Sequence, residues 1–142
     1  MSKSIKLSND NYLDSSSIVY NKQLLSDILN IQEIPITFDT NYVYSSDLQY
    51  TCVKIGKLVI LNFHTIAFKQ LIPNFQSLVT GLPKPNEVII FYLYGGNSAS
   101  GSTLRLSIAT DGIIHSHYAS DVVYGDSASK QYSGILIYKT SK

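Results

Sequence analysis

The stretch SSSIVYNKQLLSDILNIQEIPITFDTNYVY (Ser15–Tyr44) changes its hydrophobic period near Pro35. Before that point Ile18, Leu24, Leu25, Ile28 and Ile31 recur at helical spacing and share one face, with Lys22, Gln23, Ser26 and Asp27 turned away. After it, Ile36–Phe38 and Tyr42–Tyr44 read as short strands parted by Asp39-Thr40-Asn41, a triplet with turn chemistry. One amphipathic helix therefore feeds an all-β domain.

Three segments follow: an extended arm over residues 1–13, a helix over 14–33 and a β-head over 34–142. Asp14 suits the N-cap, where its carboxylate accepts first-turn N–H groups and favours the positive dipole end. Leu13 and Ile18 fall at the hydrophobic-staple positions. Such a helix is too short to stand alone. Its apolar stripe includes Asn21, and in a coiled coil a polar core residue sets register and copy number. Ile18, Asn21, Leu25 and Ile28 are thus the candidate self-association positions. The other reading packs the helix on its own β-domain with Asn21 at the edge.

The head is a succession of short apolar runs and polar turns. Leu48–Lys54 and Leu58–Phe68 form a hairpin around Ile55-Gly56-Lys57. Gln70–Leu78 is broken by Pro73-Asn74. Gly81–Asn86 is a loop, because its two prolines deny ladder donors. Glu87–Tyr94 is nearly all apolar or aromatic and suits a central strand. Thr103–Thr110 and Ile113–Ala119 flank Asp111-Gly112, the strongest hairpin signal, and Ser133–Thr140 closes the fold. About eight to ten strands of this kind predict an antiparallel β-sandwich, jelly-roll-like.

Composition excludes several classes of function. Lys and Arg number 11 against 10 Asp and Glu, so no bulk charge marks a nucleic-acid or membrane surface. Only 15% of residues are charged, which leaves a neutral, hydroxyl-rich surface fit for neutral ligands or for burial against copies. Ser2–Asp10 has no secretory h-region and no apolar run reaches membrane-spanning length, so the chain is expected to be made in a cytoplasm. The single cysteine, Cys52, can form no internal disulfide and reads as a small buried hydrophobe. Gly95, Gly96 and Gly101 lack the Lys-Ser/Thr of a phosphate loop, and no cofactor or metal is called for.

Candidate chemistry centres on the Asp111-Gly112 hairpin. A two-residue turn pairs Thr110 with Ile113 and, marching outward, Arg105 with Tyr118. His115 and His117 then share a face with Leu104, Leu106 and Ile108. They read as half-buried or subunit-interface histidines, as ligand contacts, or as a metal pair that has no third ligand. Arg105, the only arginine, sits within cation–π reach of Tyr118 and beside Asp121, as a sugar or phosphate clamp or as a stabilising surface pair. Eleven tyrosines and no tryptophan make tyrosine the stacking side chain, with Tyr118, Tyr124 and Tyr132 near loop ends. The only two glutamates, Glu33 and Glu87, lie far apart in sequence; Asp39 and Asp47 could approach each other, but spacing alone does not make them a glycosidase pair, and no enzyme is expected.

The span from Tyr50-Thr-Cys-Val-Lys-Ile-Gly-Lys-Leu-Val-Ile-Leu-Asn-Phe to Gly81-Leu-Pro-Lys-Pro resembles the C-terminal heads of tail-fibre, baseplate and receptor-binding proteins of phages and prophages of Gram-positive bacteria. The resemblance rests on the Lys54–Val59 hairpin, the Gly81–Pro83 loop and the Thr110-Asp111-Gly112 turn. It extends to the Asn-Asp-Asn-Tyr-Leu-Asp-Ser-Ser arm and the Asn-Lys-Gln-Leu-Leu helix. It implies a homotrimeric head on a coiled-coil stalk, located in the virion tail, that binds host cell-wall saccharide without turnover. The arm would attach to other tail or baseplate proteins. Arg105, His117, Tyr118 and Asp121 become the expected ligand contacts, and Ile18, Asn21, Leu25, Ile28 and His115 the expected trimer contacts. The alternative is a purely structural baseplate or fibre component with no ligand of its own.

Overall fold

The computed structural model describes residues 4–6, 12–14, 30–95, 102–117, 122–125 and 130–142. The chain divides into two compact units, Met1–Ile31 and Gln32–Lys142. In the first, β1 (Ser4–Lys6) and β2 (Tyr12–Asp14) pair antiparallel, Ser4 opposite Asp14 and Lys6 opposite Tyr12. The described part of the arm is therefore a pair of short strands, and Asp14 ends the second. Residues 15–29, the body of the expected helix with Ile18, Asn21, Leu25 and Ile28, lie outside the described residues. Its far end is corrected. Asn30 adopts a left-handed φ of 49°, which an Asn tolerates, and Ile31–Glu33 form β3. The chain then docks on β5 (Gln49–Ile55), and Ile34 N–H donates to the Cys52 carbonyl at 2.9 Å.

The remaining strands are β4 (Thr37–Phe38), β6 (Leu58–Ile66), β7 (Ser77–Thr80), β8 (Ile89–Gly95), β9 (Ser102–Ile108), β10 (Ile114–His117) and β11 (Tyr132–Lys139). With β3 and β5 they form one antiparallel sheet in the order β3-β5-β6-β11-β8-β9-β10-β7-β4. Alternation drives the strands. On β6, Val59, Leu61 and Phe63 are buried while Leu58 and His64 are exposed. The β5–β6 hairpin closes as expected, with Ile55 opposite Leu58 and Gly56 taking the positive φ of 59° that a two-residue loop demands of its first position.

The two rim strands, β3 and β4, are joined by only Ile34, Pro35 and Ile36. Nine flat strands at about 4.8 Å spacing would hold the rims nearly 40 Å apart. Four peptide steps reach roughly 14 Å. The sheet must therefore curl, and Phe38 on β4 does meet Tyr50 and Phe63 on the far side, with ring centroids 4.9 and 6.2 Å away. The β-rich antiparallel architecture is as patterning predicts. Its two core-facing layers, however, belong to a single curled sheet.

The bend lies between β8 and β11. Among the described residues their ladder holds two pairs, Tyr132 opposite Gly95 and Ser133 opposite Tyr94. Close approach there needs glycine. A Cβ on Gly95 would stand 2.2 Å from the Gln131 carbonyl oxygen, and one on Gly134 2.7 Å from Leu93 Cδ2 and 2.9 Å from the Tyr92 oxygen. Beyond the corner β8 bonds to β9 and β11 to β6. The Gly81–Asn86 loop ties the end of β11 down: Tyr138 donates its hydroxyl to the Pro83 carbonyl, and Thr140 donates its own to that of Lys84. The core between the layers holds Leu61, Phe63, Leu93, Leu104, Ile108 and Ile114, each worth about 1.5–3 kcal/mol on burial. Cys52 belongs to this core, and burial pushes its thiol pKa up to about 11. It is a packed hydrophobe with no thiolate character at neutral pH.

Gly134→Ala is expected to lower stability by about 1–3 kcal/mol through overpacking at the corner. The expected readout is a reduced urea midpoint with an unchanged denaturant slope.

Candidate functional site

The Thr110-Asp111-Gly112 turn decides which side chains face outward. It is a three-residue loop: Ala109 N–H donates to the Ile113 carbonyl, Gly112 N–H to that of Ala109, and Ile113 N–H to Asp111 Oδ1. Gly112 holds φ at 85°, the left-handed position of a bulged turn. The extra residue moves the register by one from that of a two-residue turn. Ile108 pairs with Ile114, Ser107 with His115, Leu106 with Ser116 and Arg105 with His117. A one-residue slip exchanges faces. His115 and His117 consequently stand with Arg105 and Ser107, not with Leu104, Leu106 and Ile108, and the residue opposite Arg105 is His117, not Tyr118. Tyr118 and Asp121 lie outside the described residues.

The outer face of β9 and β10 gathers a polar cluster. Arg105 lies between Tyr92 on β8 and His117 on β10. His117 Nε2 is 2.6 Å from Ser107 Oγ, and His115 Nδ1 is 3.2 Å from Ser77 Oγ on β7. The turn at Pro73–Gln76 forms one wall. Ser116, facing inward from β10, donates its hydroxyl to the Pro73 carbonyl at 2.7 Å, and Phe75 N–H donates to the Ser116 carbonyl at 2.8 Å. These bonds hold Phe75 at φ 61°, a left-handed conformation unusual for a bulky residue. Its ring is 62% exposed and meets the His117 ring edge-on at 4.7 Å. Strain and exposure together mark a position set by something other than packing.

Electrostatics sharpen the picture. Arg105 Nε is buried and has no hydrogen-bond partner. Burial, then the Arg105 charge, then His115, hold the His117 pKa below its ordinary value of 6.5. The cluster thus presents a guanidinium, an aromatic face, a neutral imidazole and hydroxyls on rigid strands. Those are the parts that hold a hydroxylated ring or an anionic substituent by stacking and charge-assisted hydrogen bonds. Among the described residues no three His, Cys, Asp or Glu side chains are arranged to hold a metal ion.

Of the expected ligand contacts, Arg105 and His117 come together, and His115 joins them on the same face. Phe75, Ser107, Ser77 and Tyr92 escaped the sequence reading. Pro73-Asn74 ahead of an aromatic residue was the available signal for Phe75, as a turn that carries an outward ring. Tyr132, taken as a loop-end ligand candidate, is instead buried, with its hydroxyl on Ser102 Oγ and accepting from Val123 N–H. No protein-family model matches the chain, and no curated protein matches it.

Two outcomes follow from this geometry. Phe75→Gly should be more stable than Phe75→Ala by about 1 kcal/mol, because only glycine relieves the left-handed backbone, as read from urea midpoints. By NMR, His117 should titrate below 6.5, and Arg105→Gln should move its midpoint upward. Because the folded-state value is the lower one, the unfolded chain binds the extra proton between the two. The contribution of His117 to stability is therefore complete above 6.5 and is lost as pH falls through the folded value.

Proposed function

We propose that this chain is a non-catalytic adhesin head of a phage or prophage tail, working as a homotrimer in the virion and binding a host cell-surface saccharide. The observation that carries this reading is the Arg105 cluster: a guanidinium with a buried, unsatisfied Nε, set among His117, Ser107 and the exposed ring of Phe75. The sequence resemblance supports it. Its three motifs fall at turns, in the β5–β6 hairpin, the loop after β7 and the β9–β10 connection, and Gly56, Gly81 and Gly112 each adopt positive φ there.

In this reading Phe75 supplies the stacking surface, which a chain without tryptophan must find elsewhere. Arg105 holds hydroxyl or acidic groups of the sugar, and His117 and the serines complete the hydrogen bonds. Tyr118 and Asp121 are proposed as further contacts. Each site can be weak, because three sites on one head and many heads on one particle convert millimolar contacts into firm attachment. The arm, residues 1–13, is assigned to other tail or baseplate proteins, and the segment from Ile18 to Ile28 to contacts between copies.

A purely structural tail or baseplate role is the second reading, favoured by the exposed Ile135 and Ile137 on β11, which suit subunit packing. Binding to glycan arrays and purified cell walls separates the two. The adhesin reading expects retention on cell walls that Arg105→Ala or Phe75→Ala weakens about tenfold or more, with His64→Ala unchanged as a control. An intact assembly that binds no saccharide would leave the structural role standing.

A further inference from the structure

One end of the curled sheet concentrates positive charge. Five of the eight Lys and Arg residues of Gln32–Lys142 fall in segments that meet there. Lys54 and Lys57 belong to the β5–β6 hairpin, Lys84 to the loop after β7, and Lys139 and Lys142 to the end of β11 and just beyond. Lys54, Lys84 and Lys142 line one cavity of about 310 Å3, with Pro83, Thr140 and Ser141. Among the described residues no acidic side chain lines it, and none of the five ammonium groups has a hydrogen-bond or ion-pair partner. Asp111 stands on the turn packed against Leu82 and Pro83, but its Oδ1 accepts from Ile113 N–H at 3.0 Å. The cavity has a fixed frame. The Lys84 carbonyl accepts from Thr140 Oγ1 and from Ser141 N–H, both at 2.9 Å, and Thr140 N–H donates to the Lys57 carbonyl at 2.8 Å. Three stretches distant in sequence are thus pinned around it.

Lys54 has an uncommon direction. It pairs with Val59, which pairs with Tyr138, and both of these are buried, so Lys54 belongs to the inner face of the sheet at its open end. An inward charge can guard an exposed edge strand. Here β5 is bonded on both sides, to β3 and β6, so edge protection does not account for Lys54. A half-buried ammonium without a counter-charge is costly until an anion completes it. We infer that this mouth is a second ligand site, separate from the Arg105 cluster, and that it takes a phosphate group. Lysine ammonium groups are compact point charges with three donors each. Three of them around one small cavity match a tetrahedral, multiply charged oxyanion. A planar carboxylate is met better by the fork of an arginine, and no arginine lines this cavity. The volume lies at the lower limit of ordinary ligand cavities, about 300–1,000 Å3, and suits about one or two phosphate groups. Ser141, exposed and donating to the Lys84 carbonyl over a long 3.3 Å, can turn its hydroxyl to the ligand. The inference holds whether or not the Arg105 cluster binds saccharide.

The test is calorimetric titration of the full chain at low ionic strength, with inorganic phosphate and pyrophosphate as probes and citrate, of similar charge to pyrophosphate, as the carboxylate control. Pyrophosphate is expected to bind with a Kd on the order of 100 µM and to weaken as salt is added. Amide NMR should place it, with shifts at Lys54, Lys84 and Ser141. Lys54→Met and Lys84→Met keep the apolar stem and remove the charge, and each should weaken binding about tenfold. Lys69→Met removes an equal charge from a lysine that bonds the Thr40 carbonyl, and should change it less than about twofold. Circular dichroism and thermal melts show whether each variant folds. Phosphate bound as tightly as pyrophosphate identifies a single phosphate group as the ligand, and a preference for pyrophosphate identifies linked phosphates. No binding of either probe at millimolar concentration would overturn the proposal. So would citrate bound as tightly as pyrophosphate, or Lys69→Met weakening binding as much as Lys54→Met. Loss of cell-wall retention with pyrophosphate still bound would overturn the adhesin reading alone, and the reverse would overturn this site alone.

Discussion

The short tether from Glu33 to Thr37 governs the architecture of Gln32–Lys142. It joins the two outermost strands of a nine-stranded sheet, so every strand between them must lie on a closed path. The sheet can meet that demand only by bending sharply somewhere, and the sequence provides two glycines at the bend. Gly95 and Gly134 let β8 and β11 cross at a separation that any side chain would prevent. The aromatic contacts of Phe38 with Tyr50 and Phe63, and the stacking of Phe63 on Phe91 at 6.4 Å, then fill the space that the bend encloses. Curvature, core and corner are consequences of one tether.

How much of this was legible depended on distance along the chain. Local signals were sound. Ile55-Gly56-Lys57 made a tight hairpin, and the runs around Phe63, Phe91 and Leu136 became strands with buried inner faces. Strand order was not legible, because no residue in β11 states that it belongs between β6 and β8. Two features failed for specific reasons. Ile31 fits a helical pattern by periodicity, yet backbone partners on β5 took it into a strand. The Asp111-Gly112 turn was recognised, but its loop length was not. A dipeptide that serves both two-residue and bulged three-residue turns leaves the register open, and that single residue decided whether the histidines faced the core or Arg105.

The candidate site owes its character to that register. With the alternative pairing Arg105 would have stood apart from both histidines. In the observed one it shares their face, lowers the His117 pKa and leaves its own Nε without a partner. Phe75 adds a second departure from ordinary folding preferences, since an unfavourable backbone angle is maintained to hold a ring in solvent. Local rules that are broken together, at one place on an otherwise consistent fold, are the expected signature of a working surface.

The position of β11 carries a consequence for synthesis. It follows every other strand in the sequence and yet is inserted between β6 and β8, near the middle of the sheet. A nascent chain that has not yet emerged past residue 139 lacks its keystone. Its two halves have no shared ladder, and the inner faces of β6 and β8 stay wet. Maturation of this unit must therefore wait until β11 has been made and has emerged from the ribosome, and the half-made product is a natural client for chaperones.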